Sequence, residues 1–158
     1  PGGVSINLAT NTASGGDAAS DVINGFEAVR GGAGADNLTG NSGANTLEGG
    51  LGNDTLSGGA GNDVLVGGDG ADFAFFGAGM HADIFQGGSG ASWIDTVQIQ
   101  GVSAGPGSGG WTLTLADGTV LTDAAASGAI DLGQDVSGTV VMADGSELTF
   151  EGVERFNW

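Results

Sequence analysis

The chain has no cysteine and no lysine, and its two arginines, Arg30 and Arg155, stand against 19 acidic residues. Without cysteine there is no disulfide framework and no thiolate zinc site. A formal net charge of -17 repels nucleic acid and anionic membrane surfaces and attracts cations. No apolar run approaches the length of a membrane span, and the N-terminus lacks a basic-plus-apolar signal segment. Neither nucleic acid nor membrane insertion is expected. A chain that opens on Pro1 reads as a piece cut from a longer protein. Aromatics are also few, and with 35 glycines in 158 residues that composition ordinarily marks a linker or disorder. These glycines are periodic, and a linker has no reason to be. A glycine-rich domain without cysteine needs another staple, and a metal ion is the obvious candidate. The length fits one domain, or one elongated unit with a cap.

Laid out in nines, the middle of the chain reads GGAGADNLT from Gly31, GNSGANTLE from Gly40, GGLGNDTLS from Gly49, GGAGNDVLV from Gly58 and GGDGADFAF from Gly67. Phe76 and Gly77 interrupt the count. The frame resumes as AGMHADIFQ from Ala78, with Asp83 in the aspartate slot and Phe85 in the apolar slot. A last copy, GGSGASWIDTV from Gly87, carries three extra residues, which puts Asp95 rather than Ser92 in the aspartate slot and Val97 in the apolar one. Scattered Asn-Asp and Gly-Asn pairs mark ordinary turns, but seven copies in frame are a motif. A nine-residue period lies far below that of helical solenoids and resembles the calcium-binding repeat of the RTX (repeats-in-toxin) family. The stretch "VSINLATNTASGGDAASDVINGFEAV" resembles the lead-in strands of such arrays. The resemblance covers roughly the first hundred residues and implies a right-handed parallel β-roll.

The physics of the unit points the same way. Glycine permits tight turns and close backbone approach, and the remaining triplet is a minimal strand pointing outward, inward, outward. Leu38, Leu47, Leu56, Leu65 and Ala74 form the inward ladder. Two nonapeptides make one coil, so repeats n and n+2 stack. Stacked strands lie about 4.8 Å apart, which places Asp36, Asp54 and Asp72 in one column and Asn45, Asp63 and Asp83 in the other. Two carboxylates at that spacing repel by about 3.5 kcal/mol at an effective dielectric of 20, so the column needs a cation. Half the spacing is about 2.4 Å, within the calcium–oxygen range, whereas magnesium demands shorter bonds and zinc prefers nitrogen or sulfur.

The resemblance further implies four to five Ca2+ ions, each between turns n and n+2, held by aspartates and by turn carbonyls. They lie between the turns at Gly31 and Gly49, Gly49 and Gly67, Gly40 and Gly58, and Gly58 and Ala78, with a fifth joining Gly67 and Gly87. Carried over to this sequence, the ligands are Gly31, Ala33 and Asp36 in the first turn, then Gly40, Ser42 and Asn45. Gly49, Gly50, Leu51, Gly52 and Asp54 follow, and after them Gly58, Gly59, Ala60, Gly61 and Asp63. The later turns contribute Gly67, Gly68, Asp69, Gly70 and Asp72. Gly79, His81 and Asp83 come next, and last Gly88, Gly90 and Asp95. Asn45 brings one charge less than aspartate and His81 replaces a glycine, so weaker sites are expected there.

No catalytic constellation stands out. His81 is the only histidine and reads as a turn residue rather than a base, with no second histidine, cysteine or serine motif around it. Glu27, Glu48, Glu147, Glu151 and Glu154 show no paired-carboxylate setting. Outward strand positions change from Asn37, Thr39, Thr55 and Ser57 to Val64, Val66, Phe73, Phe75 and Ile84, an apolar patch of the kind that marks an interface; the expected partner is the chain's own C-terminal third. There, "WTLTLADGTVLT" and "GTVVMADGSELTF" alternate around Asp-Gly pairs, a hairpin signal. Trp111, Phe150, Phe156 and Trp158 cluster in this segment, read as core packing of a solenoid cap rather than a sugar site.

The expected organisation is therefore all-β: lead-in strands over 1–30, a calcium-binding β-roll over 31–100, and an antiparallel β cap over 101–158. The expected function is a non-catalytic module that folds on extracellular Ca2+ and supports a larger secreted protein, any catalytic domain lying outside this chain. The resemblance implies export through a type I exporter of a Gram-negative bacterium. The alternative is a calcium-dependent adhesin or carbohydrate-binding module with a glycan or cell-surface ligand.

Overall fold

The structure, a computed structural model, describes residues 2–19, 21–89, 93–102, 105–107, 110–121 and 128–158. In chain order the strands are β1 (Ser5–Asn7), β2 (Thr12–Ser14), β3 (Ala28–Ala33), β4 (Asn37–Thr39), β5 (Thr46–Leu51), β6 (Thr55–Ser57) and β7 (Val64–Asp69). They continue as β8 (Phe73–Gly77), β9 (Ala82–Gln86), β10 (Thr96–Gln100), β11 (Trp111–Leu115), β12 (Val120–Leu121), β13 (Ala129–Met142) and β14 (Glu147–Asn157). Pairing runs β2-β1-β4-β6-β8-β10-β14-β9-β7-β5-β3. Every pair along that path is parallel except β1–β2, the hairpin that ends one column.

Each nonapeptide is one glycine turn plus one short strand, so the chain alternates between two strand columns. Registers such as Asn37↔Thr55 and Thr46↔Val64 stack residues eighteen apart. This is a parallel β-roll. Its inward side chains make two ladders. One runs Ile6, Leu38, Leu56, Ala74, Val97, Phe156, the other Val29, Leu47, Leu65, Phe85, Phe150. From Leu38 and Leu47 onward every rung is buried, at 0–1% exposure. Phe76 and Gly77, which break the nine-residue count, lengthen β8 so that Phe76 becomes an extra inward residue opposite Ile99.

Beyond Gly101 the antiparallel hairpins appear as expected. β11 pairs with β12 around Asp117-Gly118, and β13 with β14 around Asp144-Gly145. β14 does more than cap. Its first half pairs with β9 and its last residues with β10, with a bend at Gly152, φ 65°. The strand therefore crosses from one column to the other and forms the final coil. Phe150 and Phe156 finish the two ladders and meet edge to face at 4.9 Å. β13 lies antiparallel along β14 on its far side.

Among the described residues, the C-terminal third does not draw the outward apolar residues into the core. Val64, Val66, Phe73 and Phe75 stay half-buried and Ile84 is 44% exposed; none of them joins the core. Phe73 and Phe75 contact each other at 5.2 Å instead. The physical reason is backbone pairing. β9 and β10 would otherwise present open strand edges, and β14 satisfies both by stacking on the ends of the columns. Trp111, 2% exposed, packs on Trp158 at 5.9 Å, so these two tryptophans belong to the core.

Candidate metal centre

The aspartate of each repeat follows its turn and points inward among the turns. Its first oxygen is used by the backbone: Val4 N–H donates to Asp36 Oδ1 at 2.6 Å, Asp36 N–H to Asp54 at 2.8 Å, Asp54 N–H to Asp72 at 2.8 Å and Asp72 N–H to Asp95 at 2.7 Å. In the second column Asn45 N–H donates to Asp63 Oδ1 at 2.8 Å and Asp63 N–H to Asp83 at 2.9 Å. The columns read from the sequence are thus assembled, and Asp95 holds the last aspartate slot. Ser92 and Gly90 lie outside the described residues.

The second oxygen is what makes these columns unusual. Oδ2 of Asp36, Asp54, Asp63 and Asp72 is buried and has no hydrogen-bond partner. Orphaned buried carboxylate oxygens are costly unless something positive faces them. Burial pushes Asp72 up to about 7, with repulsion from Asp95, Asp54 and Asp69 adding to it against the hydrogen bond from Asp54 N–H. Burial likewise lifts Asp83 to about 7 and Asp95 to about 6, and raises Asp54 and Asp63. Ion-free, the columns resist carrying their charge at neutral pH.

The first glycine of each turn leaves the room an ion needs. A β-carbon on Gly49 or Gly58 would strike the carboxylate of Asp54 or Asp63 of its own turn. At Gly31 and Gly67 it would meet both Asp36 or Asp72 Oδ2 and the carbonyl oxygen of the stacked turn, Gly49 or Gly87 at 2.8 and 2.6 Å. Gly40 faces Asn45 Oδ1 and the Gly58 carbonyl in the same way. Carboxylate and carbonyl oxygens thus converge on a cradle without a side chain, the hard all-oxygen donor set that calcium takes. The fourth-slot glycine serves the backbone: Gly70, at φ 141°, sits so close to the Gly52 carbonyl that no side chain fits.

Other expected ligands are placed as follows. The third-slot carbonyls of Leu51 and Asp69 accept inter-turn hydrogen bonds from Gly34 and Gly52 N–H, at 2.8 and 2.7 Å, leaving each one lone pair. Gly50, Gly59, Gly68 and Gly88 stack on Gly32, Asn41, Gly50 and Gly68. Ala33, Ala60, Gly61 and Gly79 lie in their turns, Ser42 is exposed, and the Asp69 side chain faces solvent. Asn45 takes Asn41 N–H at 2.7 Å, and its amide nitrogen is buried without a partner. His81 adopts φ 62° in the glycine slot; its Nδ1 accepts Gly61 N–H at 3.3 Å and its carbonyl accepts Glu147 N–H at 2.6 Å. It is a turn residue that anchors β14. Among the described residues no three His, Cys, Asp or Glu side chains cluster into a cage. The carboxylates are spread along the stack, so carbonyls must supply much of any coordination.

Comparison with known families agrees with this geometry. The family model described as RTX calcium-binding nonapeptide repeat, four copies, matches residues 21–56 and 48–79. Residues 21–79 carry the RTX calcium-binding nonapeptide repeat. No curated protein matches the chain. The RTX match stops at residue 79, whereas the aspartate column continues through Asp95 to Glu154. Glu154 was not singled out by its spacing: Asp95 N–H donates to its Oε2 at 2.7 Å, and it is 8% exposed. The available signal is slight, an acid in the inward phase of "EGVERF" two residues after a glycine.

Proposed function

We propose that this RTX β-roll is a calcium-driven folding module of a larger secreted protein, without catalytic activity of its own. The observation that carries this reading is the set of buried Oδ2 atoms with no partner. With the ion absent, stacked carboxylates and the backbone entropy of the glycines oppose the fold. With the ion bound, its binding free energy becomes folding free energy. Millimolar calcium fills weak extracellular sites of this kind, whereas a low-calcium cytosol leaves the chain unfolded. That difference suits passage through a type I exporter of a Gram-negative cell followed by folding outside. No helix among the described residues is long and apolar enough to cross a membrane.

In such a module calcium supplies positive charge between stacked turns. The protein's part is to hold Asp36, Asp54, Asp72 and Asp95 in one column and Asp63 and Asp83 in the other, each pinned through Oδ1. Circular dichroism during a calcium titration tests the reading. The β signal rises cooperatively with calcium and collapses on addition of chelator; a spectrum that chelator leaves unchanged sinks it.

A further inference from the structure

The arrangement that marks an ion cradle between repeat turns recurs once between the last repeat turn and β14. At Gly31, Gly40 and Gly67, a side-chain oxygen of the same turn and a carbonyl of the stacked turn converge on the missing β-carbon. Gly87 has the same pair: Asp95 Oδ2, 2.6 Å from the β-carbon position, and the carbonyl oxygen of Gly152. Asp95 is 3% exposed. Its Oδ1 accepts Asp72 N–H at 2.7 Å, and its Oδ2 is turned toward the Gly87 position. Gly152 belongs to β14, two coils beyond the segment matched by the RTX family model.

Glu154 ends the column differently from the aspartates below it. Oε2 accepts Asp95 N–H at 2.7 Å and Oε1 accepts Asp135 N–H at 2.8 Å. Asp36, Asp54, Asp63 and Asp72 each give one oxygen to an N–H and keep the other open, whereas Glu154 gives both. It reproduces the hydrogen bond that joins successive turns, and both of its oxygens are engaged by backbone N–H groups. The extra methylene of glutamate lets a three-residue bend, Gly152–Glu154, reach a turn that in the repeat takes six.

We propose that Asp95 and the Gly152 carbonyl hold one further Ca2+ between the last repeat turn and β14, tying β14 to the array by metal as well as by strand pairing, and that Glu154 closes the column above it. This rests on the calcium reading of the array. Calcium thereby acts on the C-terminal coil directly, not only through the stack beneath it.

Crystals of the intact chain grown with Tb3+, which takes calcium's oxygen ligands, test the assignment through anomalous scattering. A peak between Gly87 and Gly152, in addition to peaks between repeat turns, is expected. Peaks in the repeats with none at Gly152 overturn this inference alone; no peak anywhere overturns the calcium reading itself.

Discussion

Replacing Asp54 by asparagine separates the two roles of a column carboxylate. The amide side chain of Asp54→Asn keeps an oxygen for Asp36 N–H, now 2.8 Å from Oδ1, and the backbone N–H of the same residue still reaches Asp72 Oδ1 at 2.8 Å. The variant loses the orphaned Oδ2 that faces the Gly49 cradle. Without calcium this removes a charge flanked by Asp36 and Asp72 at about one strand spacing each. At an effective dielectric of 20 each neighbour repels by about 3.5 kcal/mol, an upper bound of about 7 kcal/mol with all three ionised. With calcium the same change deletes an anionic ligand, and a tenfold loss of affinity corresponds to about 1.4 kcal/mol. The effect therefore changes sign with the ion. At pH 8 in chelator, Asp54→Asn folds at a lower concentration of a stabilising osmolyte than the unaltered chain, followed by circular dichroism. In calcium its folding midpoint moves at least tenfold higher. A variant that is weaker in both conditions refutes the argument, because the column would then be held by hydrogen bonding and packing rather than by charge.

Three further outcomes follow from the same geometry. Leu56→Ala removes a rung that is 0% exposed and costs about 2–5 kcal/mol in calcium, read from urea unfolding; a cost under about 1 kcal/mol contradicts the ladder. Gly58→Ala puts a methyl group where the Asp63 carboxylate lies, so the calcium midpoint rises at least tenfold while the isolated turn propensity barely changes; an unchanged midpoint counts against the cradle. In chelator, acid partly replaces calcium. Asp72 and Asp83, raised to about 7, and Asp95, raised to about 6, hold protons in the fold that the unfolded chain gives up near 3.8. Their contribution is full below the unfolded value and lost as pH rises through about 6–7, so the ion-free β signal grows from pH 8 to pH 5. A flat profile over that range contradicts the assigned burial.

What could be read from the sequence is whatever the repeat states locally. Leu38, Leu47, Leu56 and Leu65 recur at fixed spacing, so their ladder and the stacking of turns n and n+2 follow from period alone. Asp95 was also legible, because Val97 two residues later keeps the apolar phase after the inserted residues. The closing coil was not. β14 joins both columns through long-range pairing of Glu147–Glu151 with β9 and Arg155–Asn157 with β10, and no local pattern announces a strand that changes column midway. Gly152-Val153-Glu154 replaces a whole glycine turn, so the nonapeptide frame passes over it. The outward apolar residues misled for a related reason: Phe73 and Phe75 satisfy each other, while the open strand edges, invisible in composition, decide where the C-terminal segment goes.

Amide hydrogen exchange tests the central claim most directly. In calcium, the N–H groups of Asp36, Asp54, Asp72 and Asp63, each bonded to the carboxylate of the next stacked turn, exchange slowly and as one cooperative unit. In chelator at neutral pH they exchange at the rate of an unfolded chain. Equal protection in both conditions contradicts the account, since the columns would then stand without the cation that their orphaned oxygens require.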